Sequence, residues 1–569
     1  MNTMWKYLMS GWMMFCLLPA FAQEDDKNKS NLDNGLERTY WDKERKHVRA
    51  EGRYNNSGVS GLGLEEGKWK YWYYNGQLEG EVNFTRGKLN GYVVKYWENG
   101  KKKHEGWFVM DAQDSLSTTW YEDGTLRETG YYKLGVKDGV WKYYDSKGVQ
   151  ILEENHINGV EHVVAYWDKD HKQTITNGNG KLFVYGVHGK VTEEYSFAGG
   201  LKDGPFFEKN SIGRVITSGS YSKGKKQGTW RYLKANGKPQ KEASYNQDVL
   251  EGPYKEYFDN DTLNVRGQYK QGKKEGKWEW FFENGTIDMY GQFLDDLQEG
   301  DWYFGYNNGK VNYTGSFIKG LREGEWNYFY PEGQKYMQGS FHNDLKQGEW
   351  TTWFENGQEL SKGSFDKGKE HGIWTSWFEN GFTKDEGSFD HGIMTGVWKG
   401  WYPNGKLNYQ GSYLRGQKNA RWTYYFSNGK MRDEGTYKVF ERKRNLQGRN
   451  GSDTYEESER HGKWISYDDK GAKTAEGEYF EGQMHGRWIF YQNQGVLIAQ
   501  EQTYKNGILD GVSISYDKKG KKISEIHYKN GQFHGDYKIW DDKGNLRKHY
   551  VYKEGVIVKD KSPTVGGSK

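Results

Sequence analysis

Cysteine, proline and long apolar runs are all but missing from this sequence of 569 residues. Its one cysteine, Cys16, lies near the start, so a chain cut after residue 22 carries neither a disulfide framework nor thiolate chemistry. Seven prolines exclude a proline-rich spacer, and 77 glycines without a triplet period exclude collagen. Beyond the first 22 residues no apolar run approaches the ~18 residues that a membrane-spanning helix needs. An excess of one charge is lacking too: 82 basic residues face 78 acidic ones, a net charge of +4. Phosphate backbones find no footprint in such a balance, so nucleic acid is not an expected partner.

What is present is aromatic. Hydrophobic residues make up 34% and mean hydropathy is -1.07, values that fit a disordered chain, but aromatic residues reach 17%, and disordered chains are aromatic-poor. The first residues, MNTMWKYLMSGWMMFCLLPAFAQ, combine Lys6, an apolar stretch from Leu8 to Leu18 and a small-x-small site at Ala20-Phe21-Ala22. They read as a signal peptide over 1–22, with cleavage before Gln23 and export of the mature chain to a periplasm, an outer surface or the medium. A lipid anchor on Cys16 would need small residues before it, and Met14 and Phe15 are not small. Once the signal is removed, no integral membrane segment is expected.

Two consecutive stretches, GEWTTWFENGQELSKGSFDKGKEH from Gly348 and GIWTSWFENGFTKDEGSFDHGIMT from Gly372, are versions of one 24-residue block. With the opening glycine as position zero, glycine recurs at Gly204, Gly228, Gly252, Gly276, Gly300, Gly324, Gly348, Gly372 and Gly396. Ala420 keeps the step, Gly67, Gly91, Gly139 and Gly180 hold equivalent places upstream, Ser115 and Glu161 open weaker units, and Gly462, Gly486, Gly511 and Gly535 follow downstream. A period of this length marks a stacked repeat array of about 20 units.

Position nine is a turn glycine, often after asparagine, as in Asn356-Gly357 and Asn380-Gly381. Asn-Gly between aromatic runs predicts a two-residue type I′ turn, so each unit is a β-hairpin whose partner positions sum to 17. That register sets Trp278, Trp302, Trp326, Trp350, Trp374 and Trp398 at position two opposite Gly291, Gly315, Gly339, Gly363, Gly387 and Gly411. It also sets the aromatic at position seventeen opposite the opening glycine, so that each large ring lies over bare backbone. Position five, held by Trp353, Trp377, Trp401 and Tyr425, points to the other face and forms the candidate binding surface.

The fold class is therefore all-β: an elongated, solenoid-like ribbon of about 20 stacked antiparallel β-hairpins with about 24 residues per repeat, on the order of 190 Å long at ~4.8 Å per strand. Acidic residues at position seven, such as Glu98, Glu122, Glu283, Glu355 and Glu379, and basic loops between hairpins, such as Lys223, Lys225, Lys226, Lys270, Lys273, Lys274 and Arg322, predict one acidic and one basic rim. The expected organisation is a disordered segment over 23–36, repeats over 37–437, an insertion loop and linker over 438–461, repeats over 462–557 and a disordered tail over 558–569. The step from Ala420 to Gly462 is one period plus an insertion most of a unit long. Between Gly139 and Gly180 the period shortens.

These residues resemble MORN repeats, whose glycine and aromatic positions recur at nearly this period, and GSFDKGKEHGIWTSWFENG is similar to the bacterial antitoxin-like variant. The resemblance implies antiparallel hairpins in a long curved sheet, serving as a protein-binding scaffold or linked to phospholipids. The chain departs from the best-known members in its apparent export and in carrying no attached catalytic domain.

Catalytic signatures are lacking. No G-x-x-x-x-G-K-[ST], H-E-x-x-H, C-x-x-C or G-x-S-x-G run occurs. The Asp259 stretch, DNDTLNVRG, opens like a calcium loop but has Leu263 where a ligand oxygen belongs. His371, His461, His485 and His534 each precede an opening glycine, and hairpins ~10 Å apart hold neighbouring imidazoles too far apart for one ion. No catalytic residue, metal or cofactor is expected. A protein partner bound along the ribbon is the leading expectation. Polysaccharide stacked on the position-five rings is an alternative, and an antitoxin or immunity role follows only from the resemblance.

Overall fold

The computed structural model describes residues 29–32, 36–55, 64–445 and 452–563. The signal segment and Cys16 lie outside them. The described chain contains strands and turns with no helix, and falls into two units, 1–285 and 286–569. Within each unit consecutive strands pair antiparallel, so each is an open ribbon of hairpins.

The register in the body of each hairpin sums to 17: Gly348 pairs with Phe365, Trp350 with Gly363 and Thr352 with Ser361. The turn that produces it is not the expected one. Gly357 N–H donates to the Phe354 carbonyl (2.9 Å) and Phe354 N–H to the Gln358 carbonyl (2.8 Å). Gly357 has φ +85°, while Asn356 is not in the left-handed region. This is a three-residue loop, a type I turn closed by a glycine bulge, and the bulge between Thr352 and Trp353 restores the sum. Two-residue type I′ turns occur instead between units, where Lys367 (φ 48°) and Gly368 (φ 82°) join Asp366 to Lys369.

Asparagine at position eight braces both its own turn and the next. Asn356 Oδ1 accepts from Gln358 N–H (2.9 Å), and its amide donates to the Glu379 carbonyl one unit on (3.3 Å). Asn404 repeats the pattern toward Ser427 (2.7 Å), and tyrosines at position six add a second tie, as Tyr330 to the Trp353 carbonyl (2.9 Å).

Three expectations about domain limits change. Part of 23–36 is ordered, since Lys29–Leu32 pairs with Leu36–Tyr40. The segment 558–569 begins inside the last strand, Val556–Asp560. Over its described residues the insertion 438–461 is strand: Met431–Asn445 and Ser452–Tyr467 pair continuously from Lys438 with Glu459 to Asn445 with Ser452. The backbone ladder thus runs on beyond the place of the ordinary two-residue turn.

The shortened units have a physical cause. The strand Gln173–Thr176 has only 4 residues, and the turns that flank the short hairpin fold back onto Val163 and Val164: Val163 N–H donates to the Gly200 carbonyl (2.8 Å) and Gly178 N–H to the Val164 carbonyl (2.9 Å). A Cβ on Gly178 would stand 2.5 Å from Gly200 N, so glycine is required for the approach. Trp141, Leu152, Val163, Ile175, Leu182 and Phe197 form the local core.

In the first unit His104 is half-buried beside Lys95. Burial first, and that charge second, push its pKa down to about 4. Gln113 Nε2 lies 3.4 Å from His104 Nε2, and Thr119 Oγ1 lies 3.4 Å from Nδ1, contacts that suit a neutral ring. Between pH 6.5 and 4 the unfolded chain holds a proton here that the folded chain does not, so stability complete above pH 6.5 is lost as pH falls through that window. We expect hydrogen-exchange protection of residues 91–120, corrected for intrinsic rate, to fall more from pH 7 to 4.5 than elsewhere, and His104→Gln to remove the excess loss. Equal losses in both proteins would contradict this assignment.

Candidate functional site

One face of the ribbon is an aromatic ladder. In the second unit Phe293, Trp302, Phe317, Trp326, Phe341, Trp350, Phe365, Trp374, Phe389 and Trp398 follow one another edge to face, with centroids 5.1 to 6.1 Å apart. Tyr413, Trp422, Tyr437, Trp464, Tyr479 and Trp488 continue it. Each such contact adds about 0.5–1.5 kcal/mol beyond area burial. Cations close the face from above, as Lys346 Nζ 4.1 Å from the Trp350 centroid and Arg460 Cζ 4.5 Å from that of Trp464. Trp350 is 2% exposed even though the sheet is a single layer.

The rings cover glycines, but not those opposite them in the register. Backbone pairs Trp302–Gly315, Trp326–Gly339, Trp350–Gly363, Trp374–Gly387 and Trp398–Gly411 are present, yet each indole leans back one strand. A Cβ on Gly363 would stand 2.1 Å from Trp374, one on Gly339 2.1 Å from Trp350, and one on Gly387 2.0 Å from Trp398. Gly291 lies under Trp302, Gly315 under Trp326, Gly411 under Trp422 and, likewise one strand back, Gly267 under Trp278. The lean lets Trp350 Nε1–H reach the Ser340 carbonyl (3.1 Å) and Trp374 that of Ser364 (3.1 Å).

The opening glycines have no such cover. Nothing lies within 4 Å of a Cβ on Gly348 or Gly372, and their φ values are +68° and +75°. Ala420 and Ser115 hold the same place at φ 61°. At these places the left-handed bulge, not lack of space, fixes the residue, whereas at Gly180 and Gly511 a Cβ would also stand 2.0 Å from the Thr174 carbonyl oxygen and 2.8 Å from Thr503.

Trp353, Trp377, Trp401 and Tyr425 lie half-buried on the opposite face, and among the described residues these four rings make no contact with one another. Lys335 Nζ sits 5.5 Å from the Trp353 centroid, and the Tyr425 carbonyl accepts from Tyr402 (2.8 Å). We expect iodide to quench a fraction of indole emission that the triple change Trp353→Phe, Trp377→Phe and Trp401→Phe removes, with no response to soluble polysaccharide. An emission shift on adding polysaccharide, lost in the triple variant, would turn the reading toward glycan.

The two edges are not one acidic and one basic. Glu98, Glu122, Glu283, Glu355 and Glu379 are exposed at the hairpin turns. The edge of inter-unit turns is mixed: beside its lysines stand exposed Leu297, Leu321, Leu345 and Ile393. In many units the residue before the opening glycine accepts the N–H of the next turn, as Glu299 from Lys319 (2.9 Å) and Gln347 from Lys367 (3.0 Å). Sequence reasoning missed that role, although the constant interval between the partners was visible. The Asp259 stretch is a hairpin turn in which Asp261 accepts from Lys234 (2.8 Å) and Lys238. Phe480 stands between His461 (5.4 Å) and His485 (5.6 Å).

The insertion hairpin rises from this edge. Arg415, in the turn before it, donates to Glu456 (3.0 Å), and Arg442 donates to Glu481 (2.9 Å), in the turn after it, and to Glu459 (3.2 Å). Ser458 bonds the Lys418 carbonyl, and Phe440 packs edge-on against His461 at 5.5 Å. Lys438, Glu441, Lys443, Tyr455 and Glu457 face solvent.

With the hairpins and their spacing described, comparison with known proteins is decisive for the repeat. The profile of the MORN repeat variant matches residues 65–85, 113–134, 250–271, 274–295, 322–343, 394–414, 418–438 and 509–530. This is a MORN-repeat protein. Each matched MORN segment starts two residues before an opening position, including those of Ser115 and Ala420, so the family unit is one hairpin in the frame described above. No curated protein matches the MORN chain. A solved structure, "Crystal Structure of TcdB2-TccC3", is similar over 92% of this chain at 11% identity and a TM-score of 0.12, and the chain spans 30% of that one's length. Among the described residues no helix is long and apolar enough to cross a membrane.

Proposed function

We propose that this repeat scaffold is exported, is not an enzyme, and binds another protein, with the insertion hairpin 438–461 as the principal contact. The observation that carries the reading is the hairpin's anchorage. Arg415–Glu456 on one flank and Arg442–Glu481 on the other tie the described strands of an element that breaks the period to the turns beside it. An element ordered before binding loses little conformational entropy on association. A mobile loop of the same length would lose more. Tyr455, 41% exposed, is of a residue type enriched where binding energy concentrates. Export is supported by the leader, and a mature chain beginning at Gln23 is the expected result of N-terminal sequencing.

The test replaces residues 439–458 by Lys-Gly, which restores an ordinary two-residue turn between Lys438 and Glu459. Native and shortened proteins are used as affinity baits on extracts of the native cells. The expected result is one stoichiometric protein on the native bait and at least a tenfold loss on the shortened one. Equal capture by both, or polysaccharide alone, would overturn the proposal.

A further inference from the structure

The unit opened by Gly372 departs from its neighbours along the edge of inter-unit turns. Where Leu294, Ile318 and Leu414 end their strands with an aliphatic side chain, this unit has Asp390, as the unit before it has Asp366. Where Glu299, Glu323 and Gln347 precede the opening glycine, it has His371, and its turn carries His391 in place of Lys319 or Lys367.

The fold draws these three side chains together. Gly372 pairs with Phe389 across the hairpin, so His371 and Asp390, one residue beyond, stand opposite each other. His391 follows in the type I′ turn with φ 48°, which turns its ring back over the strand. His391 Nδ1 lies 2.7 Å and His371 Nδ1 3.7 Å from Asp390 Oδ1, and the two rings are 5.1 Å apart. One donor atom from each of the three lies within 4.8 Å of the others. From the preceding turn, Asp366 Oδ2 lies 3.5 Å from His391 Nε2.

We infer that His371, Asp390 and His391 bind one divalent transition-metal ion of the zinc type, with water in the remaining position. Ligand bonds of about 2.0–2.2 Å place tetrahedral donors roughly 3.4 Å apart. Side-chain rotation alone closes the remaining gap, because all three groups are exposed. Two imidazoles with one carboxylate suit zinc, nickel or copper, whereas calcium and magnesium take oxygen ligands. Asp366 is a positioning residue: its carboxylate, 3.5 Å from His391 Nε2, draws the proton to Nε2 once the ion takes the Nδ1 side that here faces Asp390. The bound ion clips the ends of strands Lys369–Trp377 and Thr383–Asp390 at the open end of their hairpin.

The experiment is calorimetric titration of zinc chloride into the chelator-treated full chain, followed by the same titration of variants. One ion per chain is expected, with His371→Ala and His391→Ala each weakening binding at least 100-fold and Asp366→Asn about tenfold. Circular dichroism should be unchanged in all three, since the side chains are exposed. Calcium and magnesium should give no heat. No heat with zinc, heat that survives the double variant His371→Ala, His391→Ala, or equal binding of calcium would each overturn the site.

Discussion

Gly363→Ala will cost about 3 kcal/mol or more and open the ribbon locally, whereas Gly372→Ala, in the next strand, will cost about 1 kcal/mol. The contrast follows from what each missing Cβ would meet. At Gly363 it stands 2.1 Å from the Trp374 ring. The indole must then leave its seat, and with it go the Nε1–H bond to Ser364 and the edge contacts with Phe365 and Phe389. At Gly372 the added methyl meets nothing, and only the left-handed φ of +75° is costly. Ala420 already lives with that cost at φ 61°. Because each hairpin touches only its neighbours, hydrogen exchange over residues 348–400 is a better reading than a single melting temperature. Loss of protection there for Gly363→Ala and near-native protection for Gly372→Ala are expected. The reverse order would show that the rings do not seat on the strand glycines.

Deletion of one whole unit will leave a folded protein, and deletion of half a unit will not. Removing residues 348–371 joins Gln347 to Gly372 and lets Trp374 take over the place of Trp350, against Phe341 and the Ser340 carbonyl. Every tie that runs one unit ahead finds its equivalent acceptor, as Tyr330 would at the Trp377 carbonyl. Removing 345–356 instead takes out the single strand Leu345–Trp353. The strands Lys335–His342 and Glu359–Asp366 then point the same way, and the few residues between them cannot make the crossover of a dozen or more that a parallel pair requires. The expected outcomes are a native-like β spectrum and protease resistance for the first protein, and proteolysis near residues 335–366 for the second. Equal stability of the two would mean that hairpin order does not define the fold.

Much of this was legible in the sequence, because a constant step states its own pairing. The register of Trp350 with Gly363 and of Gly348 with Phe365 followed from counting around Asn356-Gly357. The turn type did not. Gly357 serves a glycine bulge as readily as a type I′ turn, and the two differ by one residue that the bulge at Trp353 then absorbs. Nor does a register tell which way a ring leans. The covering of Gly339 by Trp350 depends on side-chain torsion, and its one sequence trace was the constant spacing from each such glycine to the next tryptophan. The insertion read as a loop because its basic and acidic halves hid the alternation, and only as strands do Lys438 and Glu459 stand side by side. The cluster of His371, Asp390 and His391 was illegible for a related reason: His371 and His391 are most of a repeat apart in sequence, and the hairpin register brings them together.

In the proposed reading the periodic residues build shape and the long hairpin of Met431–Asn445 and Ser452–Tyr467 makes the contact. Cross-linking the chain in its native cells through lysines, followed by mass-spectrometric mapping, tests this most directly. Cross-links to a single protein concentrated on Lys438 and Lys443 are the predicted result. Cross-links to that protein spread evenly over the lysines of successive turns, such as Lys319, Lys367 and Lys418, would contradict it.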